Sequence, residues 1–512
     1  MRVQVSPAGR MVRVASPSVM TAARIAAVSS NGLMSISRFL DFVEQTDDLE
    51  LIPSKDLKAH LTKIADEFVA FRDRLSKIDA LLPFQEEGVS FLWRNRGALL
   101  TDEQGLGKTI QGLCAIEPGR QALVICPAFM REVWYDECVK WRPDLSPFIV
   151  EGKLIRDVPE PNEVWIASYE SLPVDVHKLA TLYPGTVLIA DEAQMLRNYT
   201  AIRTRTFRSL ARIVKKSGYV WLFTGTPIIN EPSDLWSLLQ AAAITDVYNG
   251  RSEFERLWGA YRSVQGVCWG RPKPEAIERV RPHYLRRNRL EVLPQLPGKI
   301  YTDIRVPVKP SREEQRELAE TLRLHEVDFE RGDFEKLRST NVSTSRRILS
   351  LLKLPTALSF VQRIDRPIVV FSCFRETTEA FRKLRGWKVI NGEEQPSRRK
   401  AFVDELQRGE LSGLACTIQT AGIGFTMTKS HDALFIDEAF TPAENDQAED
   451  RLCRIGQNDV VQITKLVADH PIDRRVHQIL KVKRELSAPM KWTNSHSSFP
   501  LERLRVFIDQ MP

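Results

Sequence analysis

Short runs of β-branched and aliphatic residues recur along the chain, and each is followed by a polar or glycine-containing turn and a helical pattern. This alternation is typical of parallel α/β architecture. A first series of predicted strands covers residues 97–101, 122–126, 163–167, 186–190 and 219–223. A second series covers residues 367–371, 414–418, 433–436 and 460–467. The pattern therefore predicts two α/β units.

Two other stretches have helical patterns. Residues 230–360, between the two series, are rich in Arg and Glu with few strand signals, and residues 54–76 carry apolar side chains at helical spacing. The length of 512 residues is roughly three to four times that of a common domain of about 150 residues, which also favours more than one core.

Composition excludes a disordered chain, because 43% of the residues are hydrophobic and 27% are charged. The net charge of +7 is uneven: residues 1–40 hold five arginines and no acid. That segment overlaps in composition with a transit peptide, but we favour a basic arm or a small pair of strands. Seven cysteines without a C-x-x-C pair, no secretory signal and no membrane-spanning apolar run predict an intracellular protein with no membrane partner.

A glycine-containing loop follows the first predicted strand. Residues 102–109 read Asp-Glu-Gln-Gly-Leu-Gly-Lys-Thr, and a helical pattern continues over 110–116. In such a context main-chain N–H groups approach phosphate oxygens, Lys108 neutralises charge and Thr109 can bind Mg²⁺. The strict pattern has glycine where this loop has Asp102, so the match is degenerate. An ordinary glycine turn that starts a helix is the alternative.

Two strand-then-acid segments compete for a metal-binding role. One strand ends in Asp191 and Glu192, and another ends in Asp437 and Glu438. A carboxylate at the C-terminal edge of a strand can hold Mg²⁺, and the next one can polarise a water molecule. We expect Asp191 to have this role, because the metal-binding strand should belong to the same α/β unit as the glycine loop. A helix N-cap is the alternative for either pair.

Further motifs occur in a fixed order. They are Leu82-Pro83-Phe84-Gln85, the loop from Asp102, Cys126-Pro127, Ser168-Tyr169-Glu170, Asp191-Glu192-Ala193-Gln194, Thr224-Gly225-Thr226-Pro227, and residues 447–457 with Arg451, Arg454 and Gln457. The series resembles the helicase motifs of the Swi/Snf family of superfamily-two ATPases over about residues 82–476. The segment 285–299 is similar to the basic tract of annealing-helicase-like and bacterial or phage members. Asp437, followed by Phe440 and Pro442, matches a second-lobe motif of this family and so ceases to compete with Asp191.

The resemblance implies an α/β fold of two RecA-like parallel-sheet lobes with a helical insertion between them and a small N-terminal accessory region. The corresponding domain prediction is an accessory region, basic arm then helical, at 1–78, lobe 1 at 79–240, the insertion and linker at 241–360, lobe 2 at 361–485 and a C-terminal tail at 486–512. Two departures from the family are Gln194, where histidine is usual, and Ile423, where a second glycine is common.

The resemblance also implies roles for individual residues. Catalytic roles fall to Lys108, Asp191, Glu192, Arg451 and Arg454. ATP would be bound by Gln85, Asp102, Glu103, Gln104, Gly105, Leu106, Gly107, Lys108, Thr109 and Gln447, with Mg²⁺ on Thr109 and Asp191. Coupling would run through Gln194, Thr224, Gly225 and Thr226. Nucleic acid would be contacted by Ser168, Tyr169, Arg197, Asn198, Ser372, Thr420 and Gly422. Arg451 and Arg454 lie so far along the chain from Lys108 that they can reach a γ-phosphate only if two lobes close on ATP.

Two acid-free basic tracts bear on the partner. Residues 193–230 carry seven basic side chains and residues 279–289 carry five arginines. Such tracts can be merely solvated helix faces, but beside these motifs we favour phosphate contacts that are tolerant of sequence and sensitive to salt. The first 40 residues are a further candidate arm for gripping the substrate.

We therefore expect an ATP-dependent translocase on duplex or branched DNA, in which DNA-stimulated ATP hydrolysis drives remodelling, strand reannealing or protein displacement. It is expected to act as a monomer in the cytoplasm or nucleoid of a bacterium or a phage-infected cell. A strand-separating DNA or RNA helicase and an ATP-gated DNA-binding scaffold with little turnover are the alternatives.

Overall fold

The structure is a computed structural model, and it describes a defined part of the chain. The described residues are 2–8, 11–15, 33–44, 46, 49–75, 78, 81–153, 159–173, 185–228, 231–245, 247–263, 266–293, 297–326, 329, 340–421, 425–454, 456–487 and 501–511. They form two compact units. Unit 1 comprises Met1–Glu103, Gly107–Asn288 and Thr493–Pro512. Unit 2 comprises Gln104–Leu106 and Arg289–Trp492.

Helices and strands alternate along most of the chain. The strands are β1 (Arg2–Ala8), β2 (Met11–Ala15), β3 (Leu33–Ser35), β4 (Glu50–Pro53), β5 (Gly97–Leu100), β6 (Ala122–Cys126), β7 (Ser146–Ile149), β8 (Glu163–Ser168), β9 (Val187–Ala190), β10 (Tyr219–Phe223), β11 (Ala260–Ser263), β12 (Gly266–Trp269), β13 (Tyr284–Leu285), β14 (Lys299–Val306), β15 (Ile368–Ser372), β16 (Trp387–Ile390), β17 (Gly413–Thr417), β18 (Asp432–Phe435) and β19 (Val461–Ala468). The α-helices are α1 (Ile36–Glu44), α2 (Leu57–Leu75), α3 (Pro83–Arg94), α4 (Lys108–Ala115), α5 (Arg131–Trp141), α6 (Ile202–Lys215), α7 (Pro232–Ala241), α8 (Arg251–Leu257), α9 (Pro274–Val280), α10 (Arg289–Val292), α11 (Arg312–Leu324), α12 (Thr340–Val361), α13 (Arg375–Glu379), α14 (Pro396–Gln407), α15 (Ile418–Ala421), α16 (Pro442–Glu449), α17 (Pro471–Ser487) and α18 (Leu501–Gln510).

Each unit contains one large sheet whose strand pairs are all parallel. Unit 1 has the order β13-β5-β10-β9-β6-β8-β7, and unit 2 has the order β14-β19-β18-β15-β17-β16. The central strands β5, β6, β9 and β10 are buried at every residue, as expected for a sheet covered on both faces. The prediction of two parallel α/β units is confirmed, and all nine predicted strands lie within one residue of their observed ends.

Four strands of these two sheets were not predicted: β7, β13, β14 and β16. The strand β14 lies inside the stretch predicted to be helical and pairs along all eight residues with β19. It forms an edge of its sheet and is mostly exposed, so its polar residues give no apolar alternation. The predicted domain boundaries stay predictions.

A small subdomain of unit 1 joins residues from both ends of the sequence. β1, β2, β3 and β4 form a four-stranded sheet, and its inward valines, such as Val3 and Val12, are buried. The strand-pair alternative for the basic N-terminal segment therefore holds for β1 and β2. The helix α18 adds Leu504 and Ile508 to the same core, and Phe507 meets Phe39 edge-on at 5.3 Å. Within the described chain, no helix has the length and apolarity that crossing a membrane requires.

The subdomain also contacts the helix that follows the glycine loop. Phe71 of α2 stacks on Trp93 of α3 at 5.1 Å, and Arg74 donates hydrogen bonds to the carbonyls of Cys114 and Ile116 at 3.1 and 3.0 Å. A guanidinium at the C-terminal end of α4 satisfies carbonyls that have no partner within the helix.

The packing of α18 predicts a stability difference between two neighbouring positions. Leu504→Ala removes a fully buried side chain and should lower the free energy of unfolding by about 2–5 kcal/mol. Val506→Ala, on the exposed side of the same helix, should change it by less than about 0.5 kcal/mol. Urea unfolding followed by circular dichroism measures both values. Equal effects would mean that α18 does not pack as described.

Candidate active site

The glycine loop lies between β5 and α4, as predicted. Gly105 and Gly107 have φ angles of +83° and +74°, which glycine adopts without steric cost. The amine of Lys108 donates hydrogen bonds to the main-chain oxygens of Asp102 and Glu103 at 2.8 and 3.2 Å. Burial lowers the pKa of Lys108, although the carboxylates of Glu192, Asp102 and Asp191 oppose this shift. The lysine therefore sits within the loop, beside the acidic pair.

Gln85 lies against this loop from the first turn of α3. Its side-chain oxygen accepts a hydrogen bond from the N–H of Leu82 at 3.0 Å, and a Cβ added to Gly107 would lie 2.5 Å from its amide nitrogen. A side chain at residue 107 would therefore displace the end of Gln85, and the φ angle separately favours glycine. The predicted ATP-binding residues Gln85, Gly107, Lys108 and Thr109 are therefore neighbours.

The acidic pair follows β9. The Asp191 carboxylate accepts hydrogen bonds from the indole of Trp134 at 2.8 Å and from the N–H of Glu192 at 2.9 Å. Burial and the neighbouring Glu192 raise the pKa of Asp191 to about 6. Glu192 has a φ of +50°, a left-handed conformation that is uncommon for glutamate and that occurs most often at functional sites.

A chain of hydrogen bonds joins the acidic pair to the Thr-Gly-Thr motif. The amide nitrogen of Gln194 donates to Glu192 at 2.6 Å, and its oxygen accepts from the hydroxyl of Thr224 at 2.7 Å. The N–H of Thr226 donates to the same hydroxyl at 3.1 Å. Because an amide both donates and accepts, Gln194 can connect the two motifs where the family usually has histidine. The structure brings these predicted coupling residues together, and their function stays a prediction.

Asp102 has a partner that the sequence pattern does not predict. This carboxylate is fully buried and forms an ion pair with Arg287 at 2.5 Å, so it faces the arginine as a structural anchor of the loop. The neighbouring Arg286 donates to the main-chain oxygens of Thr101 and Gly225 at 3.1 and 3.0 Å. An acid directly after a buried apolar strand should have signalled a buried cationic partner, but not which one.

The tract 279–289 is therefore corrected. Four of its five arginines, Arg279, Arg286, Arg287 and Arg289, have at most 8% of their surface exposed, and their side chains contact carboxylates or main-chain oxygens. Side chains in such positions do not form a surface that tracks phosphates. The expectation of a phosphate-contacting face holds at most for the other tract, residues 193–230.

The predicted nucleic-acid contacts fall into two groups. Tyr169, Ser372 and Thr420 are buried, and their hydroxyls bond to the main chain of Asp191, to the carboxylate of Asp437 and to the main chain of Ile390, respectively. Ser168 is also buried, and its hydroxyl shares a hydrogen bond with Ser171. In contrast, Asn198 is exposed and Arg197 is half-buried. Gly422 and the departure at Ile423 lie outside the described residues.

In unit 2, the arginines of the last motif follow a braced pair of acids. Lys299 contacts Glu449 at 3.2 Å and Asp450 at 2.7 Å, directly before Arg451. Arg451 is buried, Arg454 donates to the hydroxyl of Thr426 at 3.1 Å, and Gln447 is half-buried on α16. Gln457 donates to three main-chain oxygens and fixes the end of this segment. The catalytic roles of the arginines stay predictions.

Asp437 has a structural role in unit 2. Its carboxylate accepts hydrogen bonds from the hydroxyls of Ser350 and Ser372 at 2.6 and 2.7 Å and from the N–H of Cys373 at 2.7 Å. Three donors satisfy this carboxylate inside the protein, which agrees with the assignment of the metal-binding role to Asp191 instead.

Comparison with known families gives a match over this region. The model of the SNF2-related domain matches residues 84–358, which is more than half of the chain. The chain belongs to the SNF2-related family. The resemblance found from the motifs is thereby confirmed.

Relatives within this family are distant and longer. An uncharacterized ATP-dependent helicase from Mycoplasma pneumoniae is 27% identical over 457 residues, covering 80% of this chain and 42% of that protein. The human DNA annealing helicase and endonuclease ZRANB3 is 26% identical over 468 residues, covering 85% of this chain and 42% of that protein. The solved Sulfolobus solfataricus SWI2/SNF2 ATPase core in complex with dsDNA has 20% identity and a TM-score of 0.38, covering 84% of this chain and 95% of that chain. The chain thus spans less than half the length of these two helicases.

The pKa of Asp191 predicts how stability depends on pH. Because the folded state raises this pKa from 3.8 to about 6, the folded protein loses stability relative to the unfolded chain as the pH rises through this interval. Asp191→Asn, which can still accept the bond from Trp134, should therefore be more stable than the wild type by about 1–3 kcal/mol at pH 8, with little gain at pH 4. Urea unfolding at the two pH values measures the difference.

Asp144 provides a control with the opposite sign. A hydrogen bond from Arg142 lowers the pKa of Asp144, so Asp144→Asn should lose stability at pH 8 relative to pH 4. The loss should be small because half of this side chain is exposed. An Asp191→Asn protein that is less stable than wild type at pH 8 would contradict the burial argument.

Proposed function

We propose that the chain is a DNA-stimulated ATPase that moves along double-stranded or branched DNA. The observation that carries this proposal is the connection of Lys108, Asp191, Glu192, Gln194 and Thr224 within one unit, from the glycine loop to the Thr-Gly-Thr motif. A site that only bound nucleotide would not need the acidic pair to be linked to a second motif. The names of the SNF2-related relatives support the same activity.

The residues of unit 1 fit ATP with Mg²⁺. Two adjacent carboxylates, one of them buried with a raised pKa, form a site whose repulsion a divalent cation would relieve. Across the described residues, no three acidic, histidine or cysteine side chains cluster so as to hold a metal by themselves. Mg²⁺ commonly takes one or two protein ligands beside phosphate oxygens, and Thr109 and Asp191 would supply them. The bound ion would neutralise charge on the phosphates.

The residues of this chain would then have separate roles. Lys108 and the loop N–H groups bind the phosphates, Gln85 lies beside the loop, and Glu192 orients the attacking water. Gln194 would transmit a movement of the Glu192 carboxylate to Thr224, because its amide is hydrogen-bonded to both side chains. Arg451 and Arg454, on unit 2, are the predicted donors to the transition state. The monomeric state and the cellular location stay predictions.

ATP hydrolysis by the full chain, with and without duplex or forked DNA, tests the proposal. DNA should stimulate the wild type, and Lys108→Ala should lower the stimulated rate about 100-fold or more. Lys140→Ala, at an exposed position of α5, is the matched control and should retain activity. Triplex displacement without strand separation would indicate translocation, whereas unwinding would indicate a helicase. A wild type that no DNA stimulates would contradict the proposal.

The DNA interface is proposed to lie along α6. Arg205, Arg212 and Lys216 are exposed along one side of the helix and its C-terminal end, and none of them forms an ion pair with a residue that the structure describes. No acid occurs from residue 193 to residue 230, so every charged side chain of this segment is positive. Arg197 and Asn198 lie in the preceding segment and would extend the same interface.

Charge reversal along α6 should weaken DNA binding in a salt-dependent way. Arg205→Glu together with Arg212→Glu should lower the affinity for duplex DNA, independently of DNA sequence. The slope of the logarithm of the binding constant against the logarithm of the salt concentration should become shallower by about two. Arg408→Glu is the control, because Glu410 already neutralises this exposed arginine at 2.6 Å. Fluorescence anisotropy at salt concentrations between about 50 and 200 mM measures the slope. An unchanged slope would place the interface elsewhere.

A further inference from the structure

The segment that follows β13 runs beside the start of the glycine loop. The main-chain N–H of Thr101 donates to the main-chain oxygen of Leu285 at 2.7 Å, and that of Glu103 donates to the main-chain oxygen of Arg287 at 3.1 Å. The sheet pairing of β13 with β5 is thereby continued past the last residue of either strand. The main chain of residues 285–287 thus lies directly beside residues 101–103, where the glycine loop begins.

Arg287 contacts the start of the glycine loop and the two helices α3 and α4. Its guanidinium and main-chain N–H contact both carboxylate oxygens of Asp102, at 2.5–3.1 Å. The same side chain donates to Gln111 of α4 at 2.9 Å, to Glu87 of α3 at 3.2 Å and to the main-chain oxygen of Phe84. Only 2% of Arg287 is exposed, so its fork is fully used inside unit 1. The Arg287 guanidinium therefore connects the start of the glycine loop to both α4 and α3.

Space for this guanidinium depends on a glycine. A Cβ at Gly88 would lie 2.8 Å from a terminal nitrogen of Arg287 and 1.7 Å from the side-chain oxygen of Gln111. The motif that contains Gln85 therefore supplies both a partner and the room for the arginine.

Arg286 points to a different pair of partners. One of its terminal nitrogens donates to the main-chain oxygen of Thr101 at 3.1 Å and to that of Gly225 at 3.0 Å. These oxygens belong to the start of the glycine loop and to the Thr-Gly-Thr motif. Because successive side chains of an extended segment point to opposite sides, two adjacent arginines can serve two different connections.

We propose that Arg286 and Arg287 are positioning residues of the ATP site, with separate roles. Arg287 holds the glycine loop and the Gln85 helix in the arrangement that binds nucleotide. Arg286 ties the loop to the Thr-Gly-Thr motif, so that the state of the nucleotide is transmitted to the DNA-binding surface. The inference rests on the proposed ATPase activity.

Arg287 is tested by separating its role in folding from its role in binding. Arg287→Gln alone leaves the buried Asp102 without a cation and should destabilise the protein. Combining it with Asp102→Asn removes both charges of the fully buried pair and should restore most of the melting temperature, because only the partly exposed Glu87 then lacks its cation. The double variant should nevertheless show KM for ATP raised about tenfold or more, since the amides cannot reproduce the fork that contacts α3 and α4. Recovery of both the melting temperature and KM would overturn the role of Arg287.

Gly88→Ala perturbs the same guanidinium while both charges remain. Its methyl group should displace Arg287 and Gln111 and raise KM for ATP in the same direction. Wild-type KM in a folded Gly88→Ala protein would also count against the proposal. Arg281→Lys, at a half-exposed arginine earlier in the same tract, is the matched control and should leave KM unchanged.

Arg286 is tested by the ratio of ATPase rates with and without DNA at saturating ATP. In Arg286→Met no side-chain donor remains for either main-chain oxygen, so the stimulation ratio should fall about fivefold or more. The Arg287 double variant should keep its ratio once ATP saturates it. A folded Arg286→Met protein with the wild-type ratio would overturn the coupling role. If the wild type itself hydrolyses no ATP, the proposed function fails first, and the two failures are thereby distinguished.

Discussion

The fully buried ion pair between Asp102 and Arg287 is the contact on which the geometry of unit 1 depends. A carboxylate without water is strongly unfavourable unless a cation and hydrogen bonds replace its hydration, and breaking one such pair typically costs about 3–5 kcal/mol. The Arg287 guanidinium also donates hydrogen bonds to the helices α3 and α4. The conformation of the loop therefore depends on a residue 185 positions away in the sequence. The seven-stranded sheet provides the rigid frame that keeps the two segments in register.

A second constraint is the acidic pair at the end of β9. Burial of Asp191 beside Glu192 is unfavourable for the free protein, and the pKa of Asp191 shows that cost. The left-handed backbone of Glu192 adds local strain. Sites that store such costs bind a cation or a polarised ligand more strongly than a relaxed site would, because binding relieves the repulsion. The stability of unit 1 and the chemistry proposed for it therefore oppose each other at this edge of the sheet.

The sequence could predict what depends on local pattern. Strands such as β6 and β10 are buried on both faces, so their continuous apolar runs fix their position within a residue. The glycine loop and the acidic pair follow from residue types at short spacing. In contrast, β14 carries polar residues at an exposed edge and has no such pattern. The direction of Arg287 and the burial of Tyr169 depend on contacts between distant segments, so neither could be predicted from spacing.

The packing of α18 beside α1 and α2 has a consequence for the order of folding. The amine of Lys58 donates to the main-chain oxygen of Met511, across a separation of 453 residues, and Leu504 completes a core that begins with Val3. During synthesis this subdomain therefore lacks one of its helices until Met511 emerges from the ribosome, 453 residues after Lys58. At synthesis rates of about 5–20 residues per second, its apolar surface stays incomplete for about 20–100 seconds.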